Sequence, residues 1–182
     1  AKARKEFDRV IRQTKNSKTL SFEECDTRFR RAIMLREEGL PSWARAVREL
    51  DRHIACKSDN AQAYFVRGQI QADYKAFDAS TKDFERAARL ASSQGLKRIR
   101  SQALYASSRV LKRRKRFSEA KLLDFLKQSV AADQTYAPPH RDLCDMLQQT
   151  DRKSAKRHCK AYLKADPNGV YAKQVRELLR NL

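Results

Sequence analysis

Apolar residues recur along this chain at the i, i+3, i+4 spacing of helices, and no stretch shows the period-two alternation of a strand. The clearest unit runs over residues 61–94, AQAYFVRGQIQADYKAFDASTKDFERAARLASSQ, 34 residues that read as two helices joined by a short turn. Small residues at Gly68 and Ser80 would let those helices approach closely, while Tyr64, Phe84 and Ala87 fill the space around them. Upstream, Phe29, Ala32 and Ile33 form one stripe, and the break Gly39-Leu40-Pro41-Ser42 leads into Trp43, Ala46, Val47, Leu50 and Ile54. Downstream, Leu104, Leu111, Phe117, Ala120, Leu123, Leu126 and Val130 make a third pair, set back by the extra stretch Gly95 to Arg100. A fourth pair runs from Ala137 through Leu143, Leu147, Ala155, Tyr162 and Leu163 to Asp166-Pro167, with Pro138 and Pro139 suited to the first turn of its first helix.

These positions carry a resemblance. With Ala61 as the first residue, Tyr64, Gly68, Ser80, Phe84 and Ala87 fall at the fourth, eighth, twentieth, twenty-fourth and twenty-seventh places of the tetratricopeptide repeat. The segment therefore resembles that family without an insertion, and the clear departure is Arg67 where a Leu is usual. The resemblance implies an all-α, right-handed superhelical solenoid of antiparallel helix pairs in a single domain. Residues 1–20 would be an N-terminal helix, from Phe7, Val10 and Ile11, followed by a linker. Residues 21–167 would hold about four hairpins, and residues 168–182 a capping helix whose Ala172, Val175, Leu178, Leu179 and Leu182 close the last apolar face. The segment His140 to Gly169 also resembles repeat segments of some bacterial envelope proteins and of repeat regions appended to bacterial Ser/Thr kinases, so an envelope or motility-associated assembly is an expected setting.

Composition supports helices and adds charge. The 182 residues include only 4 Gly and 4 Pro, and 41 Lys plus Arg stand against 22 Asp plus Glu, a net charge of +19. That excess exceeds what solubility needs and points to a partner of opposite sign. It concentrates in the third pair, where Lys112, Arg113, Arg114, Lys115 and Arg116 form an unbroken run. Such a run is either a solvated helix end, favoured by the helix dipole, or an anion-binding surface. It lacks the interleaved aromatics that stack on unpaired bases.

Cys25 and Cys56 lie equally far from the Gly39-Leu40-Pro41 break, and Cys144 and Cys159 equally far from the Thr150-Asp151-Arg152 turn. Each pair can bridge its own hairpin, or remain as thiols acting as small core hydrophobes. Bridges would imply a periplasmic or otherwise extracytoplasmic setting; free thiols leave a cytoplasmic one open. His140, Cys144 and Cys159 could share a metal, but adjacent His158 and Cys159 point about 100° apart on a helix, and no metal or other cofactor is expected. His53 takes a repeat position that is normally small, which suits a hydrogen-bonded core imidazole.

No phosphate loop, nucleophile elbow or paired-carboxylate motif stands out, so neither an enzyme nor a small-molecule substrate is expected. In the tetratricopeptide family the first helix of each hairpin lines a concave groove. That implies Gln62, Phe65 and Gln69 in the second pair, Tyr105, Arg109 and Lys112 in the third, and Arg30 and Arg141 in the first and fourth. Phe65 and Gln69 replace the Lys and Asn that the family's chaperone-tail clamp requires, so that activity is not expected. Aromatic rings flanked by guanidinium groups suit an acidic protein segment. The expected function is a non-catalytic scaffold that binds a partner protein within a larger assembly. The alternative is a polyanion-binding module for nucleic acid or an anionic membrane surface, acting through the basic run.

Overall fold

A computed structural model of the chain describes residues 22–114 and 118–182. The helix and linker expected over residues 1–20 lie outside the described residues, as do Lys115, Arg116 and Phe117. Every regular element among the described residues is an α-helix: α1 (Phe22–Glu37), α2 (Leu40–Cys56), α3 (Ala61–Asp73), α4 (Phe77–Ser93), α5 (Lys97–Arg113), α6 (Glu119–Ala132), α7 (Ala137–Met146), α8 (Arg152–Ala165) and α9 (Ala172–Asn181). None of these is long and apolar enough to cross a membrane. The chain divides after Leu90 into two compact units, which are taken in turn.

In the first unit the turn between α1 and α2 is set by Gly39, whose φ of 94° is open to glycine at little cost, and by Pro41 in the first turn of α2. The indole N–H of Trp43 donates to the Arg36 carbonyl at 3.0 Å, closing the end of α1. Ala32, Leu35, Ala46, Leu50, Ala63, Val66 and Ile70 bury one apolar layer across α1, α2 and α3. Each large side chain in that layer contributes roughly 1.5–3 kcal/mol of transfer free energy. Polar groups cross the same interfaces in pairs. Arg28 donates to Glu24 at 2.6 Å and to Glu49 of α2 at 3.1 Å, and all three side chains are buried.

Between α3 and α4 the close approach occurs at Gly68. The sequence names Gly68 and Ser80 as the small residues of this approach; in the structure the Phe84 ring seats over Gly68, so that a Cβ at residue 68 would lie 2.8 Å from Phe84 Cε1 and 3.2 Å from Asp83 Cβ. Ser80 is fully buried nearby on the same helix. Arg67, out of pattern in the repeat, donates two bonds of 2.7 Å to Asp83 of α4 and one of 2.8 Å to Asp51 of α2.

In the second unit, α5 begins at Lys97, so Lys97 to Arg100 form its first turn rather than an insertion ahead of it. Ser101 on α5 and Ser129 on α6, both fully buried, each donate a hydroxyl to the other's backbone carbonyl at 2.8 Å. Tyr105, Leu122, Leu126, Leu143, Leu147 and Ala155 form the core of α5 to α8. Ala172 and Val175 of α9 cover Cys144, Cys159 and Tyr162, giving the α7 and α8 pair its outer layer.

Gly68→Leu is expected to push the Phe84 ring off its seat and to cost on the order of 1–3 kcal/mol by overpacking. Thermal unfolding followed by circular dichroism checks this: the midpoint should fall, and an unchanged midpoint would remove the close approach described for α3 and α4.

Candidate functional site

Three of the groove positions taken from the sequence meet in one place. Tyr105 and Arg109, one turn apart on α5, and Arg141 on α7 line a cleft of about 360 Å³ together with Tyr136, Tyr162 and Tyr171. Four of the chain's six tyrosines therefore surround it. The rings hold one another: Tyr105 and Tyr136 meet edge to face with centroids 5.8 Å apart, and the Arg141 guanidinium lies 4.2 Å from the centre of the Tyr171 ring. Burial pushes the Tyr105 phenol up, reinforced by the nearby Asp142 charge, and burial pushes Tyr136 up to about 12. Both stay neutral near pH 7 and serve as hydrogen-bonding rings.

The cations of the cleft differ in how far they are committed. Arg141 is hydrogen-bonded to the buried carboxylate of Asp142, whose other oxygen lies 3.7 Å from the Lys112 ammonium. Arg109 is exposed, contacts the Tyr105 hydroxyl and has no carboxylate partner among the described residues. At the far side, Tyr162 donates to Asp166 at 3.3 Å, and a Cβ at Gly169 would collide with the Asp166 carboxylate, so glycine keeps that turn folded against the cleft. Beyond it Val170, 93% exposed, and Tyr171 project from the segment before α9.

The other residues singled out in the sequence sit elsewhere. Arg30 is exposed on α1. Gln62, Phe65 and Gln69 run along α3 in the first unit; the Phe65 ring packs 5.8 Å from Phe84, and the side-chain oxygen of Gln69 is buried without a hydrogen-bond partner. Lys112 and Arg113 form the exposed last turn of α5 and Arg114 follows it, while Lys115 and Arg116 lie outside the described residues. Sequence reasoning missed Tyr136, Val170 and Tyr171 and assigned Tyr162 to the core alone. The available signal was the concentration of tyrosine after residue 100.

The cysteines and histidines occupy hairpin interiors. The structure joins Cys25 to Cys56, with Cα atoms 6.3 Å apart, and Cys144 to Cys159, with Cα atoms 5.0 Å apart. His53 is fully buried: its Nδ1–H donates to the Cys25 carbonyl at 2.7 Å, and its Nε2 accepts from Asn60 at 2.8 Å. Asn60 in turn caps α3 by accepting from the backbone N–H groups of Gln62 and Ala63. Among the described residues no three His, Cys, Asp or Glu side chains converge as a metal site would require.

On α7 and α8, His140 donates through Nε2 to the Gln134 carbonyl at 3.0 Å, which leaves its Nδ1 to accept from His158 Nδ1–H, also at 3.0 Å. That bond needs His140 neutral at Nδ1, whereas His158 donates through Nδ1 whether or not its Nε2 carries a proton. Burial, then the neighbouring His140 and Arg157, push His158 down to about 4, and burial lowers His140 as well.

No protein-family model matches this sequence, and no curated protein does. Solved structures do resemble the chain. A crystal structure of MamA superposes with a TM-score of 0.65 at 13% identity, covering 98% of this chain and 90% of that one. The MamA RS-1 ArsTM double mutant superposes with a TM-score of 0.57 at 15% identity, covering 92% of this chain and 96% of that one. At these identities the likeness is one of fold, and that fold is all-α and tetratricopeptide-like.

The histidine pair makes a pH-dependent contribution. An unfolded His158 binds a proton near its ordinary value of 6.5, and the folded one only near 4, so its contribution is complete above about pH 6.5 and is lost as pH falls toward 4. The loss is on the order of 2–3 kcal/mol. Thermal midpoints measured from pH 7 to pH 5 should fall, and the fall should shrink in His158→Gln; equal slopes for the two proteins would contradict the neutral pair.

Proposed function

We propose that this chain is a non-catalytic protein-interaction scaffold within a larger assembly, and that its C-terminal unit receives an acidic segment of a partner protein along the tyrosine-lined cleft. The observation that carries the reading is the convergence of Tyr105, Arg109 and Arg141 on that cleft with three further tyrosine rings. Rings of this kind supply contact area at low entropic cost, and an arginine without a carboxylate partner supplies a place for an acidic side chain. Projection of Val170 and Tyr171 offers apolar surface that a bound segment would cover. The net charge of +19 favours an acidic partner and speeds its approach.

The same charge favours a second reading, a polyanion-binding module acting through the run Lys112 to Arg116. The two readings order mutants differently. Binding of fluorescent acidic peptides carrying aromatic residues, and of RNA and DNA, is measured by anisotropy across a salt series. For the cleft reading, Arg109→Gln with Tyr171→Ala weakens peptide binding about tenfold or more, because truncating central aromatic and arginine groups commonly costs about 2 kcal/mol. Neutralising Lys112 to Arg116 then slows association but leaves a measurable complex. Polyanion binding that vanishes with the run and ignores the cleft pair would favour the second reading. Peptide binding indifferent to Arg109 and Tyr171 would overturn the first.

A further inference from the structure

A second cavity in the C-terminal unit, of about 780 Å³, shares no lining residue with the tyrosine cleft. Its volume lies within the range of small-molecule sites. Arg157, Ala161 and Lys164 succeed one another along one face of α8, and the small Ala161 leaves space between the two cations. Arg98 of α5 and Val130 of α6 contribute from the facing helices, and His158 belongs to the lining too. No carboxylate lines the cavity. Arg98 is already paired with Asp133 at 2.9 Å, whereas Arg157 and Lys164 have no acidic partner among the described residues. His158 spends Nδ1 on His140, and its Nε2 has no protein partner among the described residues.

We infer that this cavity is a binding site for a phosphate monoester, held by Arg157 and Lys164 with His158 Nε2 as a third donor. Two uncompensated cations beside a partly apolar floor hold an anion more strongly than the same charges would in open water. The groups facing His158 fit this. Burial first, then His140, Arg157 and Lys127, disfavour its protonation, and Asp151 favours it. A bound phosphate would oppose these effects with its own negative charge and let His158 take a proton at Nε2 and donate it to the anion. The ester can be a soluble metabolite or the headgroup of phosphatidic acid; the chemistry at the cavity is the same.

The test uses the intact chain. Glycerol 3-phosphate and inorganic phosphate are titrated by calorimetry, and phosphatidylcholine vesicles with and without phosphatidic acid by co-sedimentation. The His158 ring resonance is followed by NMR. Saturable binding, with the His158 midpoint moving up from about 4, is expected. Arg157→Gln with Lys164→Gln, two exposed positions, should weaken binding about tenfold or more without lowering the thermal midpoint. Binding of glycerol 3-phosphate identifies a soluble source, and binding of phosphatidic acid vesicles alone identifies the headgroup. No saturable binding by any of these probes overturns the site, as does binding that the double variant leaves intact. Tyrosine-cleft variants should leave phosphate binding unchanged, so this site and the peptide reading stand or fall separately.

Discussion

The ion pair between Arg67 and Asp83, extended to Asp51, is the interaction on which the first unit turns. A repeat helix of this kind ordinarily presents a Leu at that place, which would join the apolar layer and need nothing further. Here the guanidinium reaches across α3 to a carboxylate on each side and ties α2 and α4 to it. Asp83 is only 5% exposed, so without Arg67 it would be a buried charge in want of a partner, a costlier defect than any surface pair could offset. The neighbouring Gly68 allows the helices close enough for that reach.

The same solution recurs at several helix contacts inside each unit. The apolar stripes are narrow, and polar side chains that enter the interfaces are matched across them: Glu24 with Arg28 and Glu49, His53 with Asn60, Ser101 with Ser129, and His140 with His158. In a repeat protein each unit is stabilised chiefly by its neighbours, so local pairings of this type specify the register hairpin by hairpin. They also shape the cleft. Asp142 holds Arg141 in its lining while pairing with Lys112, and Asp166 and Tyr171 line it from the segment before α9.

Much of the fold was legible in the sequence because helical periodicity and the 34-residue spacing are local signals. Trp43, Gly68, Phe84 and the stripe from Ala172 to Leu182 could each be placed from their immediate neighbours. What escaped was long-range pairing. Nothing in one sequence says that Arg67 meets Asp83 rather than another of the chain's 22 acidic residues, or that the Phe84 ring is what seats over Gly68. The start of α5 was misplaced for a related reason: Lys97, Arg98 and Arg100 look like a polar insertion until Ser101 is seen bonded to Ser129. For the site, Tyr105, Arg109 and Arg141 followed from repeat positions. Tyr136 and Tyr171 lie just before their helices, where the repeat pattern assigns no role.

If paired polar groups specify these interfaces, Arg67 and Asp83 must be energetically coupled, and a double-mutant cycle measures this directly. Arg67→Leu and Asp83→Asn, alone and together, are compared by equilibrium denaturation. The account predicts that each single change destabilises the protein and that the double variant recovers part of the loss, with a coupling energy of about 1 kcal/mol or more. Strict additivity, or an Arg67→Leu variant more stable than the parent because Leu restores the apolar layer, would contradict it.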